Sequence, residues 1–462
     1  MTDYSARDLL AMGCRQGPEI PSVLAIVNAR PHTAEDVRSV IRAHTAPDPL
    51  PLLENPVSCQ WNITAQDEHE AANVSAVRET MEAVLRTPVA VAGAVMPDAC
   101  PAGPVGTIPV GGVVGLRNAI APGMHSADIC CSLMLTEIDG ATPAEVLDAA
   151  YRATHFGPGG RARDAEHALP EPLAEAIAAL PYRNANLLPV ARSQLATQGD
   201  GNHFLYVGRL ESTGRTVMVT HHGSRGFGAR LYKAGAKIAE RWRAKLSPAT
   251  AKANAWIPLD SDEGRAYWDA LQLVRAWTKR NHEAIHEATV RAVGASVTDR
   301  FWNEHNFVFR EERADGPIVW HAKGATPIHD AFLPDTDGRQ LVPLNMAEPV
   351  LIVRGERTAT NLGFAPHGAG RNMSRTKHKR ALGDRADADV VAAETAGLDV
   401  RFWCGNPDVS ELPSAYKRAE SVQTDMRAFG LADVVDRVLP YGSIMAGDWE
   451  RDAPWKRRRR GR

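Results

Sequence analysis

Apolar residues recur at helical spacing twice in the first ninety positions, and then the pattern changes. One helix is predicted after Thr33, in TAEDVRSVIRAH, with the threonine as its cap. A second is predicted near Asn73, in NVSAVRETMEAVLR, where Val74, Val77, Met81, Val84 and Leu85 share a face before Pro88 closes it. From Val89 to Ile138 short apolar runs alternate with Pro and Gly, which predicts several short strands with loops between them. Thr142-Pro143 opens a helix through PAEVLDAAYRATH, with proline at the first position, where no N–H is needed. Residues 157–165 read as a mobile loop, 169–180 as a helix, and 204–208 and 216–221 as strands. A helix from about Ala229 to Leu246 precedes a long one from Asp262 to about Val293. In the long one Tyr267, Leu271, Val274, Thr278, Asn281 and Ile285 form one stripe. FVFRE, PIVWHAKG and PVLIVRG read as strands, and roughly Ala415–Leu439 as a closing helix. No repeat and no linker rich in Pro, Gly or Ser divides this succession. The prediction is one large α+β domain over residues 1–447, with mixed and antiparallel sheets among helices, and a disordered basic tail over 448–462.

Composition narrows the function classes. With 44% hydrophobic and 23% charged residues in 462, the chain reads as a soluble globular protein. No apolar run approaches the roughly 18 residues of a membrane span, and the start lacks a secretory pattern. A net charge of −2 confines any nucleic-acid site to a local basic patch. Six cysteines (14, 59, 100, 130, 131 and 404) in so long a chain do not make a disulfide framework. A reducing cytoplasm is the expected compartment, with thiols available as metal ligands.

The chemistry-bearing residues gather in short polar or glycine-rich stretches. In Asp128-Ile-Cys-Cys131 a carboxylate and a thiolate three residues apart can converge on one metal if the segment turns, and a thiolate can bridge two ions. Gly199-Asp-Gly-Asn202-His203, then His221-His222-Gly-Ser-Arg225-Gly, then Asn303-Glu-His305-Asn306, each set a histidine beside a turn or at a strand end. Imidazole, thiolate and carboxylate together suit Zn, Fe or Mn. In His367-Gly-Ala-Gly-Arg371, glycines let the backbone approach a ligand, and arginine can fork onto a phosphate. An imidazole there can attack phosphorus. His282-Glu283-Ala-Ile-His286 matches the HExxH pattern on a predicted helix, but no third ligand follows at a metzincin spacing. A charged helix face beside Ile285 is the expectation.

The order of motifs MPDAC, NAI, DICC, GNHF, HHGSRG, EHN, HAKGAT, HGAGRNMSR and AYK resembles the RtcB family of RNA ligases over about residues 70–447, the first seventy being least family-like. The resemblance implies an enzyme that joins RNA 2′,3′-cyclic phosphate or 3′-phosphate ends to 5′-hydroxyl ends, using GTP and Mn²⁺, for RNA repair or tRNA processing. Archease is the activating partner it suggests. It implies Asp128, Cys131, His203, His221 and His305 as ligands of two Mn²⁺ ions, with Cys131 shared. His367 matches the histidine that becomes guanylylated, and Asn202, Asn306 and Gly368, Ala369 and Gly370 line the nucleotide pocket. Arg225 and Arg371 fall on phosphate-holding positions, and Lys323 is a further cation. Eight positions depart from the pattern. Tyr206 stands where the family has Glu, and Val353, Arg354, Gly355 and Glu356 replace a guanine-site loop. Thr360 replaces a serine of that pocket, Met445 a lysine, and Cys100 the histidine of MPDAH. The changes put guanine specificity in question, because a buried hydrogen-bonding site discriminates through its polar partners. The alternative expectation is a two-metal phosphoesterase acting on RNA ends without nucleotide transfer.

Overall fold

The computed structural model describes residues 3–450 except 15, 18, 45–47 and 162–167; the tail beyond 450, including the run Lys456–Arg460, lies outside the described residues. Helices α1 (Ala6–Ala11), α2 (Ile20–Val27) and α3 (Ala34–His44) enclose a small core of Leu9, Val23, Val27, Val37 and Ile41. There follow β1 (Cys59–Trp61), α4 (Glu68–Val84), β2 (Ala90–Cys100), β3 (Val110–Arg117), β4 (Ala119–Ile120), α5 (Pro122–His125), β5 (Ser132–Asp139) and α6 (Pro143–Ala153). The middle of the chain forms α7 (Glu171–Ala179), α8 (Leu187–Ser193), β6 (Phe204–Leu210), β7 (Thr216–His222), α9 (Arg225–Leu246), β8 (Ile257–Pro258) and α10 (Asp262–Val293). Then come β9 (Ser296–Glu304), β10 (Asn306–Glu311), β11 (Ile318–Lys323), β12 (Ala325–Pro327), β13 (Gln340–Pro343), β14 (Val350–Arg354) and β15 (Phe364–Pro366). The last elements are α11 (Arg375–Ala381), α12 (Asp387–Glu394), β16 (Asp399–Phe402), α13 (Ala419–Ala428) and β17 (Asp433–Met445).

Two sheets organise this α+β fold. The larger runs β13-β14-β17-β6-β7-β5-β9, with β16 also on β17, and the smaller runs β1-β2-β3-β11-β10. Among the described strands, β1/β2 and β16/β17 pair in parallel and the rest antiparallel. Helix α10 lies across the back of the larger sheet. Ser261 caps its start by accepting from Gly264 N at 2.9 Å, and Gly294 ends it at φ 65°. Its predicted stripe, Tyr267, Leu271, Val274, Thr278, Asn281 and Ile285, is fully buried. The apolar members contribute about 1.5–3 kcal/mol each on burial.

Several boundaries differ from the periodicity reading. Helix α4 begins at Glu68, because Asp67 accepts from Glu70 N at 2.8 Å; this polar first turn carries no apolar signal. Helix α9 begins at Arg225, four residues before the predicted start, and Gly226 and Gly228 mask that turn because glycine is a poor helix former. The predicted helix Ala415–Leu439 is in fact α13 followed by a strand. Gly430 at φ 59° stops the helix, and the β-branched VVDRV run then pairs with β14 and β6.

Candidate active site

Strand direction gathers the chemistry at one edge of the larger sheet. Strands β5 and β6 start there, and β7, β9 and β17 end there. Ser132 pairs with His222 and with Glu304, and Phe204 pairs with His221 and Met445. Cys131 and His203 precede the starts, His221 lies near the end of β7, and His305 follows the end of β9. The four side chains therefore meet although the chain positions span 131 to 305. Asp128 joins them through a turn in which Cys131 N reaches Asp128 O at 3.4 Å and Cys130 takes φ 57°. Gly223 makes room for it, since a Cβ there would overlap the Asp128 carboxylate.

The donor atoms fall into two overlapping groups, Cys131–His221–His305 and Asp128–Cys131–His203, each within 4.8 Å. Cys131 Sγ lies 3.1 Å from His221 Nε2 and 3.7 Å from His203 Nε2; His221 Nε2 is 3.2 Å from His305 Nε2, and His203 Nε2 is 3.5 Å from Asp128 Oδ2. His203 Nδ1–H donates to Gln198 O at 2.8 Å and His221 Nδ1–H to Asn202 O at 3.1 Å, which leaves bare Nε2 lone pairs aimed at the sulfur. Burial, reinforced by His203, pushes His221 down to about 3, and burial with His367 and His221 holds His305 far below the ordinary imidazole range. Burial opposes the Asp128 charge, but where the His203 ring carries a second proton its Nε2–H hydrogen bond and positive charge outweigh burial and carry Asp128 down to about 2. Burial and Asp128 raise the Cys131 thiol well above its usual range. Convergent lone pairs, a carboxylate and a sulfur at these separations repel one another unless protons or a metal cation lie among them. This donor set fits a divalent transition ion, which would also hold the thiolate deprotonated.

Beside the cluster is a cavity of about 410 Å³, lined among others by Asp128, Cys131, His221, His305, Lys323 and His367. The His367 ring is 4.9 Å from that of His305. Its Nδ1 makes a short hydrogen bond to Oδ2 of the wholly buried Asp98, and the same oxygen accepts from His367 N at 3.1 Å. Nε2 is then the nitrogen free for chemistry. Lys417 Nζ donates to Pro97 O and Ala99 O, both at 2.9 Å, and so braces the strand on either side of Asp98. Gly370, at φ 73°, passes so close to Asp98 O that a Cβ there would overlap it.

Of the other expected residues, Asn306, Gly368, Ala369, Gly370 and Arg371 line the cavity, and Asn202 lies at its mouth. Asn306 Oδ1 accepts from Gly324 N at 2.6 Å. Arg371 is tied by Nη1 to Glu411 at 3.2 Å and by Nη2 to Ser410 O at 2.8 Å, and it lies over the Tyr416 ring. Lys323 Nζ donates to Ile108 O at 2.9 Å, and burial lowers it to about 8. Arg225 lies in an adjoining open cleft with Asp200, His203 and Arg375, and donates to Gly157 O at 2.9 Å. Asp128, Asn202 and Arg375 border both spaces.

The structure does not bring Val353, Arg354, Gly355, Glu356 or Thr360 to the cavity. Val353 is buried in a separate apolar cluster, Arg354 is exposed on the far end of β14 near Asp337, and Gly355 packs on Leu431 and Ala432. The Glu356 and Thr360 carbonyls bind Asn361 and Asn62. Three departures do line the cavity, Cys100, Tyr206 and Met445, with Phe204, Leu344 and Val350 beside them. Residues that the sequence did not single out are Asp98, Glu411 and Lys417. The first and last sit in the quoted MPDAC and AYK motifs, and Glu411 carries no local signal. His282 and His286 are buried inside the molecule and do not lie on a charged face; Glu283 alone faces Arg280, at 3.3 Å. Among the described residues neither histidine belongs to a metal-spaced group.

Residues 163–446 match the family model described as tRNA-splicing ligase RtcB. The chain is 30% identical over 286 residues to the tRNA-splicing ligase RtcB of Aeropyrum pernix, covering 54% of this chain and 59% of that protein. It is 26% identical over 442 residues to the tRNA-splicing ligase RtcB of Archaeoglobus fulgidus, covering 79% of this chain and 90% of that protein. To the RNA-splicing ligase RtcB of Mycobacterium tuberculosis it is 27% identical over 280 residues, 54% of this chain and 64% of that protein. The match thus spans less than two thirds of the Aeropyrum and Mycobacterium proteins. None of the described helices is long and apolar enough to cross a membrane.

Proposed function

The chain belongs to the RtcB family, and from that premise we propose that it is an RNA ligase joining 2′,3′-cyclic phosphate or 3′-phosphate ends to 5′-hydroxyl ends. The observation that carries this reading is His367, held at Nδ1 by buried Asp98 with its ring 4.9 Å from the His305 ring of the donor cluster. We assign Asp128, Cys131, His203, His221 and His305 to two Mn²⁺ ions, with Cys131 common to both groups. Bound there, the ions supply neutralisation of phosphate charge.

In this proposal His367 Nε2 attacks the α-phosphorus of GTP; the P–N bond forms and pyrophosphate leaves. Asp98 holds the ring in the tautomer with Nε2 unprotonated and supports the charge that the ring acquires. An oxygen of the RNA 3′-phosphate then takes the nucleotidyl group, and the P–N bond breaks. The 5′-hydroxyl attacks the activated end and GMP departs. A cyclic end is first opened by water. Lys323 and Arg371 hold phosphate oxygens at the cavity, Arg225 holds the strand in the cleft, and archease is the activating partner of the same proposal. Asn202, Asn306 and the backbone of Gly368–Gly370 face the nucleotide.

One observation favours the phosphoesterase reading: the apolar wall of Phe204, Tyr206, Val350 and Met445 offers a purine few polar partners. Incubation with Mn²⁺ and GTP or ATP labelled at the α-phosphate decides between them. The ligase reading expects acid-labile, base-stable label on the protein, absent in His367→Ala. Label from ATP alone would keep the mechanism and change the nucleotide. No label from either, with Mn²⁺ bound, would move the assignment to the phosphoesterase.

A further inference from the structure

The HExxH histidines take no part in the proposed reaction, yet they sit directly behind the donor cluster. Side chains alternate along a strand, so His221 faces the cavity while its neighbours Thr220 and His222 face α10. On β5, Ser132 next to Cys131 faces α10 in the same way. His282 Nε2 lies 3.0 Å from Ser132 Oγ, and His282 Nδ1 lies 2.6 Å from Thr220 Oγ1. His286 Nε2 lies 2.7 Å from the same Thr220 oxygen, and His286 Nδ1 lies 2.7 Å from Thr136 Oγ1. Arg300 Nε donates to Thr136 Oγ1 at 2.9 Å, and Ser132 Oγ donates to Cys130 O at 3.0 Å. His222 stacks on His282 with centroids 3.5 Å apart.

With both rings neutral and Ser132 donating to the Cys130 carbonyl, one arrangement of protons fits this chain. In it Thr136 accepts from Arg300 Nε and donates to His286 Nδ1. His286 Nε2–H then donates to Thr220, Thr220 donates to His282 Nδ1, His282 Nε2–H donates to Ser132, and Ser132 donates to the Cys130 carbonyl. Every hydroxyl and every ring gives one hydrogen bond and accepts one. Both imidazoles are neutral in this arrangement, in keeping with burial, which holds both far below the ordinary histidine range. The groups tied together immediately precede His221 and flank Cys131, and α10 is the rigid element that carries the two rings.

We propose that His282 and His286 are positioning residues for the metal centre: their hydrogen-bonded chain fixes β5 against β7 and thereby sets the Cys131–His221 separation. The inference rests on the metal assignment proposed above. Co²⁺ titration tests it, read by the thiolate-to-cobalt charge-transfer absorption, with folding checked by near-UV circular dichroism. His282→Phe keeps the stacking surface on His222 and removes both hydrogen bonds. It is expected to bind Co²⁺ at least tenfold more weakly than wild type, with a shifted charge-transfer band, in the range typical of lost outer hydrogen bonds to metal ligands. His282→Gln, which can still donate to Ser132, should recover part of the loss. Thr136→Val breaks the chain at its far end without changing either histidine, and should weaken Co²⁺ binding several-fold in the same direction. Folded His282→Phe or Thr136→Val with the wild-type affinity and spectrum would overturn the proposal. Wild-type protein that shows no thiolate band would instead remove the metal assignment itself.

Discussion

At the scale of single residues, the Asp98–His367 pair separates this site from a loose collection of ligands. A carboxylate with no exposure, bonded to one ring nitrogen, fixes which nitrogen can attack. Asp98→Asn should slow single-turnover labelling from α-labelled nucleotide by about 100-fold, as for loss of a general acid–base contribution. Co²⁺ affinity should stay unchanged, because Asp98 is not among the metal-spaced donors. Equal labelling rates would show that Asp98 merely packs. Lys323 makes a pH prediction. Burial brings it down to about 8, so it is cationic below that pH and neutral above. Nucleotide affinity should fall between pH 7 and pH 9, and Lys323→Arg should remain flat over that interval; equal slopes in both proteins would exclude Lys323 as the cause. For folding the sign is opposite. The folded pKa lies below the unfolded value of 10.5, so the unfolded chain binds more protons between about 8 and 10.5, and this group's contribution to stability rises with pH there.

At the scale of elements, glycine-bearing turns decide whether side chains at strand ends can converge. Gly370 joins β15 to the arginine-bearing segment in a left-handed conformation and in contact with the Asp98 backbone. Gly370→Ala should cost about 1–3 kcal/mol, as for other residues forced into sparsely populated backbone regions, measured by denaturant unfolding. It should also abolish labelling by displacing Asp98 from His367. Stability and labelling both at wild-type level would mean that the turn adapts freely. The long helix α10 was legible from its unbroken stripe, and the Ser261 and Gly294 caps of the structure agree with it. The strand β17 was not: its apolar run follows a true helix closely, and the Gly430 stop and β-branched run, which the predicted helix reads through, are set apart by pairing with β6, β14 and β16.

At the scale of the molecule, the donor cluster ties together β5, β6, β7 and β9, so ion binding is linked to global folding. Co²⁺ at 100 times its dissociation constant should raise the unfolding free energy by about 2.7 kcal/mol over the EDTA-treated protein. Cys131→Ser, which removes the donor common to both groups, should lose most of that increment. Unfolding curves that coincide with and without Co²⁺ would show that no ion is held in the native state.

The sequence alone determined the α+β class and the longer helices through periodicity and caps, and it marked Asp128, Cys131, His203, His221, His305 and His367 as candidates through histidines beside glycine turns and the order of motifs. Only the tertiary structure decided which of these residues share a site. Asp98 and Glu411 look like ordinary acids until sheet register and chain reversal bury them against His367 and Arg371. The segment Val353–Glu356 falls on a guanine-site loop by the family resemblance, yet the direction of β14 carries it away from the cavity. The two HExxH histidines had the spacing of metal ligands, and burial against three hydroxyls gave their nitrogens other partners. Spacing along a chain constrains which side chains share a face of one element. Which faces meet depends on packing between elements far apart in sequence, and no local pattern records that.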